Sequence, residues 1–127
     1  MPVSVVDASA LAALAFNESE APAVAGILEG ETLAAPALVI HELGNTCWKK
    51  CRRYPSFAAV LRRSFSDVLK LPIELFVIDP AEVLATAEEC GVSFYDAAYL
   101  WLSRRLNARL VTLDRRLRQI AGTAAAS

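Results

Sequence analysis

The sequence predicts an α/β fold, a three-layer α/β/α sandwich around a central parallel sheet of four to five strands. Short apolar segments alternate with longer segments of helical periodicity, and no two strand segments are joined by a hairpin turn. Strands that alternate with helices pair in parallel and are covered by helices. At 127 residues, 55% of them apolar, the chain is expected to form a single domain over residues 1–127.

The first half of the chain is predicted to contain two strands and four helices. Val3–Val6 is an almost continuous apolar run rich in β-branched residues, as in a strand that is covered on both faces. Pro36 is expected to open a long helix and Pro55 to interrupt it, because proline fits the first turn of a helix but not its interior. The predicted elements are strands at 3–6 and 32–35 and helices from about 9, at 21–29, at 36–54 and at 56–69.

The second half continues the alternation of strands and helices. Asp79, Pro80 and Glu82 match a helix start with a cap, a first-turn proline and a capping-box acid, and Gly91 fits the end of that helix. Ser93 is predicted to start the next helix. The predicted elements are strands at 73–78 and 110–113 and helices at 80–90, 93–106 and from 114, with a frayed tail at 122–127.

Three acids, Asp7, Asp96 and Asp114, stand at predicted helix starts. Ligands of open parallel sheets bind beyond the carboxyl ends of the strands, and Asp7 and Asp114 are expected at that edge. Two carboxylates about 4 Å apart repel by about 4 kcal/mol at an effective dielectric near 20, so such a cluster is expected to hold a cation. Each acid also has a structural explanation, as a helix cap or, for Asp96, as the acid of a capping box with Ser93.

Glu42 is not explained by capping, because it lies about two turns inside the predicted helix 36–54. Positions 38 and 46 offer it no basic partner. Asn45 follows on the same helical face, and Lys49 lies four residues further along. This stripe of acid, amide and cation suits a metal-bound phosphate.

Charge and cysteine content bear on the partners and the compartment. All 13 Lys and Arg residues follow position 48, so the second part of the chain is cationic, and its basic pairs either contact a phosphate backbone or form a solvated helix surface. No apolar run approaches the roughly 20 residues of a membrane span, and Met1–Asp7 lacks the basic region of a signal peptide. We therefore expect a cytoplasmic protein without membrane contact. Cys47 and Cys51 are interpreted as small buried hydrophobes rather than as zinc ligands with His41.

Four segments stand out along the chain, in the order Val6–Ser9, Glu42-x-x-Asn45, Gly91–Leu100 and Leu110–Leu117. Together they resemble the PIN-domain ribonucleases, in particular the VapC-type toxins of bacterial toxin-antitoxin modules, and their order is that of the family. The segments around Asp96 and Asp114 are the most specific. The chain ends soon after its last helix, so the family's fifth strand would be very short or absent.

The resemblance implies a domain that cuts single-stranded RNA or RNA loops with one or two Mg²⁺ or Mn²⁺ ions. It also implies a cognate antitoxin protein, whose C-terminal segment binds near the site, and a homodimer formed through the helical faces. Supporting groups would orient carboxylates or metal-bound water. The implied catalytic and metal-binding acids are Asp7, Glu42, Asp96 and Asp114, and the implied supporting residues are Ser9, Asn45 and Thr112.

Five aromatic side chains concentrate around the first helix and the long helical pair. Most of them are expected in the core, because aromatic residues at helical spacing usually are. An exposed remainder would suit a groove for a helix of the antitoxin. The five are Phe16, Trp48, Tyr54, Phe57 and Phe65.

Two other functions stay open at this point. One is a phosphatase or phosphotransferase with Asp7 as its nucleophile, although Asp7-Ala8-Ser9 lacks the second aspartate that such enzymes place two residues on. The other is a non-catalytic RNA-binding or scaffold module of the same fold, although the chain retains all four acids. His41 is a further candidate as a general base, but a lone histidine beside a metal-site acid is more often a packing or surface group.

Overall fold

A computed structural model describes residues 2–125 and the side chains of residues 2–122. Strands and helices alternate along the chain as predicted. The strands are β1 (Val3–Val6), β2 (Thr32–Pro36), β3 (Ile73–Phe76) and β4 (Arg109–Val111). The helices are α1 (Ala8–Ala15), α2 (Ala21–Leu28), α3 (Val39–Arg53), α4 (Ala58–Val68), α5 (Pro80–Cys90), α6 (Phe94–Arg105) and α7 (Arg115–Ala125), with a 3-10 turn at Pro55–Phe57.

The four strands form one parallel sheet in the order β3-β2-β1-β4. Val5 and Val6 of β1 are both fully buried. Successive side chains of a strand point to opposite faces of the sheet, so β1 is covered on both faces. The parallel sheet that the sequence predicts is confirmed, with four strands in the described part of the chain.

The helices form the two outer layers. On one side, α6 packs across β1, β2 and β4, with α5 and α7 beside it. On the other, α1 contacts α2, α3 and α4. Leu11 of α1 and Leu102 of α6 are both buried in the same hydrophobic core. The three-layer α/β/α architecture is therefore confirmed.

Several predicted boundaries are wrong at the ends of strands and at the end of the chain. Pro36 ends β2 and does not open α3, because the Ala37 N–H still bonds to the Phe76 carbonyl oxygen at 2.8 Å and extends the pairing of β2 with β3. Strand β4 ends at Val111 rather than Leu113, since the hydroxyl and carbonyl of Thr112 are used in side-chain hydrogen bonds. Helix α7 continues through residues 122–125 instead of fraying, and residues 126–127 lie outside the described part.

The carboxyl ends of β1 and β4 lie side by side. Val6 pairs in register with Val111, and the Asp7 N–H donates to the Val111 carbonyl at 3.2 Å. Each strand leads within a few residues into a helix, α1 or α7. This edge of the sheet therefore brings two helix starts together. No helix within residues 2–125 is both long and apolar enough to cross a membrane.

Candidate active site

Asp7 joins the end of β1 to the start of α1. Its side chain is 5% exposed. The Ala10 N–H donates to Asp7 Oδ1 at 3.0 Å, and the Ser9 hydroxyl donates to the same oxygen at 2.7 Å. The first of these bonds is the helix cap that the sequence predicts, but capping alone does not explain the second.

Thr112 ties the ends of β1 and β4 together. Its hydroxyl donates a short hydrogen bond to Asp7 Oδ2 and accepts one from the Asp114 N–H at 3.1 Å. Ser9 completes the link, because its hydroxyl also accepts from the Leu113 N–H at 3.0 Å. Both oxygens of the buried Asp7 carboxylate are thus held in fixed positions by groups from two strand ends.

The other two aspartates each lie at a helix start. Asp114 is exposed and caps α7, where its Oδ1 accepts from the Leu117 N–H at 2.8 Å. Asp96 lies in the first turn of α6, and its N–H donates to the hydroxyl of the capping Ser93 at 3.1 Å. The caps leave carboxylate oxygens of both residues available to a ligand.

Glu42 lies in the first turn of α3, not two turns inside the helix as predicted, and it has a partner that sequence reasoning missed. The hydroxyl of Tyr99, a residue that is 1% exposed, donates to Glu42 Oε1 at 2.5 Å and accepts a hydrogen bond from the Ala8 N–H. Burial above all, followed by the hydrogen bond to Glu42, raises the pKa of Tyr99 far above its ordinary value. Tyr99 therefore stays protonated and orients Glu42. Its position three residues after Asp96, on the same face of α6, is the signal that could have identified it.

Electrostatic repulsion links the four acids, called here the acidic site: Asp7, Glu42, Asp96 and Asp114. Burial first, and then the negative charge of other site members, raises the pKa of Asp7, of Glu42 and of Asp96. The repulsion acts between Asp7 and each of the other three, and between Asp96 and each of the other three. The fold therefore collects all four predicted acids in one region.

The acidic site is not neutralised by basic side chains. In the described part of the chain, no ion pair within 4.0 Å joins a Lys or Arg to any of the four acids. Arg116 lowers the pKa of Asp96 through its charge, but its guanidinium donates to the Gly91 carbonyl at 2.6 Å. The excess negative charge remains for a cation to balance.

The four carboxylates suit Mg²⁺ or Mn²⁺ better than they suit a metal ion that needs a closed cage of protein ligands. Across residues 2–122, no three Asp, Glu, His or Cys side chains are placed to hold one metal ion together. Magnesium needs no such cage, because proteins usually bind it through one or two carboxylates while it keeps several waters and contacts substrate phosphate. The hard oxygen donors of the acidic site suit that mode of binding.

A cleft of about 770 Å³ opens beside the acidic site, between α1 and α3. Its lining includes Ser9 on α1 and Glu42, Asn45 and Lys49 on α3. The predicted stripe of acid, amide and cation therefore faces a single cavity. Neighbouring Lys50 is paired with Glu18 at 3.0 Å, whereas no ion pair within 4.0 Å engages Lys49 in the part of the chain that the structure describes.

Other residues weighed from the sequence lie elsewhere. Asp79 caps α5 by accepting from the Glu82 N–H at 3.1 Å, as predicted. His41 is exposed. The thiols of Cys47 and Cys51 each donate to a backbone carbonyl of the following helical segment. This is the packing role that the sequence predicts, and it does not suit a zinc site.

Comparisons with known proteins agree with the fold and the motifs. The family model described as PIN domain matches residues 4–123. The chain belongs to the PIN-domain family. Two relatives from Pyrobaculum aerophilum are Exonuclease VapC9, 40% identical over 92% of this chain and 85% of the relative, and Ribonuclease VapC3, 32% identical over 89% of this chain and 90% of the relative. The resemblance to VapC proteins is thereby confirmed.

A solved structure shows the same architecture. PAE2754 from Pyrobaculum aerophilum superposes with a TM-score of 0.75 at 31% identity, covering 99% of this chain and 97% of that one. The likeness extends over both helical layers and the sheet between them. The acidic site thus occupies a sheet edge within a domain of the same architecture.

Proposed function

We propose that this PIN-domain protein is a divalent-metal-dependent endoribonuclease and acts as the toxin of a type II toxin-antitoxin module. The observation that carries the proposal is the acidic site itself, beside an open cleft: its four carboxylates are linked by repulsion, and within residues 2–122 none of them forms an ion pair with a Lys or Arg. Such an excess of buried and half-buried negative charge is costly unless a cation balances it. The relatives named as VapC nucleases support the same conclusion.

Each residue of the site has a proposed role in phosphodiester hydrolysis. Asp7 and Asp96 interact with all other members of the site and are the proposed main metal ligands, with Glu42 and Asp114 holding metal-bound water. When bound there, Mg²⁺ or Mn²⁺ would lower the pKa of a coordinated water and offset charge on the scissile phosphate. Lys49 and Asn45 line the cleft and would orient the RNA phosphate.

The supporting residues act by fixing the ligands. Ser9 and Thr112 hold the two oxygens of Asp7, and Tyr99 holds Glu42. Metal affinity depends strongly on such outer hydrogen bonds. A phosphatase with Asp7 as its nucleophile is the weaker alternative, because Asp7-Ala8-Ser9 lacks the second aspartate that such enzymes place two residues on.

Two protein partners belong to the proposal. A groove of about 230 Å³ suits a segment of the antitoxin that is largely apolar. It is lined by Leu14 and Ala15 of α1 and by Ser64, Asp67, Val68 and Leu71 in and just after α4. A homodimer through the helical faces is the second partner. Light scattering that shows only monomer at micromolar concentrations would contradict the dimer.

The deciding experiment is calorimetric titration of partner-free protein with Mn²⁺, because a selective nuclease looks inert on the wrong RNA. Wild type should bind saturably, and Asp7→Asn and Asp96→Asn should weaken binding at least about 10-fold. Glu31→Gln, which neutralises an acid at the opposite edge of the sheet, is the matched control and should bind like wild type. Equal binding by all four proteins would show that the metal does not occupy the acidic site.

Cleavage of RNA is then tested with circular and linear forms of the same oligonucleotide in Mn²⁺. An endonuclease opens the circle, whereas an exonuclease acts on the linear form alone. Metal binding at the acidic site without cleavage of any cellular RNA fraction would favour the non-catalytic RNA-binding module of the same fold.

A further inference from the structure

The far end of α3 carries exposed aromatic rings, although most of the aromatic residues of this region were predicted to be core. Phe16 and Phe65 are half-buried, but Trp48 is 55% exposed, Tyr54 45% and Phe57 60%. Burying large rings is among the strongest stabilising contributions to a fold, so three exposed rings on neighbouring turns require an explanation.

Two of these rings are stacked with guanidinium groups. The Arg52 guanidinium carbon lies 5.0 Å from the centroid of the Trp48 ring, and that of Arg53 lies 5.4 Å from the centroid of the Tyr54 ring. No ion pair within 4.0 Å ties either arginine to a carboxylate within residues 2–122. We call Trp48, Arg52, Arg53, Tyr54 and Phe57 the aromatic platform.

The surroundings of the aromatic platform are strongly cationic. Residues 43–66 contain no Asp or Glu, so this segment has no negative charge of its own. A surface with this charge favours a polyanion and disfavours an acidic peptide. The basic residues of the segment are Lys49, Lys50, Arg52, Arg53, Arg62 and Arg63.

Two members of the aromatic platform, Trp48 and Arg52, adjoin the residues of α3 that line the cleft. Asn45, Trp48, Lys49 and Arg52 are spaced at i, i+3, i+4 and i+7, so they share one side of the helix. At about 1.5 Å of rise per residue, Trp48 lies roughly 9 Å along the helix axis from Glu42 and Arg52 roughly 15 Å. A strand whose phosphate sits at the acidic site therefore reaches the platform within a few nucleotides.

We propose that the aromatic platform is a stacking site for unpaired bases of the RNA substrate, next to the acidic site. Unpaired bases stack on aromatic rings and on Arg guanidinium planes, while basic side chains follow the backbone. The proposal rests on the proposed ribonuclease function and adds the place on the surface where bases of the RNA are held. A surface that binds only protein is the competing explanation.

The test measures binding, so that it does not depend on cleavage. A fluorescently labelled ten-nucleotide 2′-O-methyl RNA is titrated in the presence of a chelator, and affinity is read by anisotropy. Trp48→Ala should weaken binding roughly 10-fold, as expected for one lost base stack, whereas Trp48→Phe should stay within about 2-fold because phenylalanine also stacks. An abasic oligomer of equal length should bind wild type as weakly as the normal oligomer binds Trp48→Ala.

Intrinsic fluorescence locates the contact. Trp101 is 9% exposed, so quenching by the oligonucleotide should arise from Trp48 and disappear in Trp48→Phe. Arg52→Gln should reduce the slope of log affinity against log salt by about 0.7 if the residue contacts one phosphate. Arg105→Gln is the matched control, because its guanidinium also stacks on a tryptophan, 5.4 Å from the centroid of Trp101, but away from the platform.

The outcomes separate this proposal from the ribonuclease proposal. Wild-type affinity in Trp48→Ala, or tight binding of the abasic oligomer, would overturn the platform even if metal-dependent cleavage is intact. Loss of binding to an antitoxin peptide but not to RNA in Trp48→Ala would overturn it as well. Base-dependent binding by a protein that cleaves no cellular RNA fraction in Mn²⁺ would support the platform while contradicting the nuclease. Equal thermal midpoints of all variants would show that the fold is unaffected.

Discussion

Acidic side chains have opposite environments where β1 and β4 begin and where the two strands end. Where the strands begin, Glu31 accepts from the Ser4 hydroxyl at 2.7 Å and from the Arg109 guanidinium at 3.0 Å. The hydrogen bond from Ser4, followed by the nearby charge of Arg109, lowers the pKa of Glu31. Where the strands end, burial and repulsion by other acids raise the pKa of Asp7.

This difference separates Glu31, an acid that stabilises the fold, from the acids of the acidic site, which we propose bind a ligand. Around Glu31 the polar groups are paired with one another, because Arg109 also donates to the Ser4 hydroxyl at 3.1 Å and to the Ile27 carbonyl at 2.8 Å. At the Asp7 end, hydroxyl donors orient the carboxylate but supply no positive charge. Neutral donors fix geometry, whereas only a cation balances charge. The pairing pattern thus distinguishes the edge of the sheet at which we propose the metal site.

The largest expected effect comes from neutralising one acid at each end. Asp96→Asn should lower metal-dependent RNA cleavage at least about 100-fold, because it removes a proposed metal ligand, whereas Glu31→Gln should leave cleavage unchanged. In the metal-free protein, the two substitutions should change the free energy of unfolding in opposite directions. Asp96→Asn relieves burial and repulsion and should stabilise by up to about 1 kcal/mol after solvent screening, and Glu31→Gln should destabilise.

Urea unfolding in chelator, run beside a single-turnover cleavage assay, checks both arms of this prediction. A large loss of stability in Asp96→Asn would assign Asp96 a structural role and remove the contrast between the two ends. Loss of cleavage in Glu31→Gln, with its fold intact, would show that the opposite edge also contributes to the site.

Removing one hydroxyl at each end gives a smaller effect. Thr112→Val deletes the donor to Asp7 Oδ2 and the acceptor of the Asp114 N–H, and should lower cleavage roughly 10- to 100-fold. The substitution should also lower the free energy of unfolding by about 1–3 kcal/mol. Thr112 is 4% exposed, and its replacement by valine leaves the buried Asp7 carboxylate without one of its donors. Ser4→Ala should lower stability with no change in cleavage. Activity loss from Ser4→Ala would contradict this division.

Tyr99→Phe should have a narrower effect. Phenylalanine keeps the buried ring but lacks the hydroxyl that donates to Glu42 and accepts from the Ala8 N–H. Cleavage should fall roughly 10-fold, in line with the loss of an outer hydrogen bond to a metal-site ligand. Mn²⁺ affinity by calorimetry should fall in parallel. An unchanged affinity would place Glu42 outside the metal site.

The sequence predicts the order of elements and the proximity of the four acids well, because both depend on local patterns. Hydrophobic period identifies β1 and α3, and strand ends in a parallel sheet meet at one edge. It does not reveal the Tyr99 bond to Glu42 or the Arg109 bond to Glu31, since these join residues 57 and 78 positions apart. It also predicts that most of the five aromatic residues of this region are core, whereas Trp48, Tyr54 and Phe57 are exposed, because helical spacing alone does not say which helical face a neighbour covers.

The smallest expected effect is a difference in pH dependence between the two ends. Asp7, Glu42 and Asp96 have raised pKa values in the folded protein, so they bind protons more tightly folded than unfolded. Their contribution to stability is present below the ordinary values of 3.8 and 4.5 and is lost as pH rises through the folded values. Glu31, with a lowered pKa, contributes above its ordinary value and loses that contribution as pH falls.

Thermal unfolding from about pH 4 to about pH 8 resolves this difference. In chelator, Glu31→Gln should lose less stability on acidification than wild type does. Mn²⁺ should stabilise wild type increasingly as pH rises, because the metal requires the deprotonated acids. If Mn²⁺ raises the thermal midpoint equally at the lowest and the highest pH, the acids that bind it are not those with raised pKa values. The cation would then belong to another surface, and the contrast between the two strand ends would have no functional meaning.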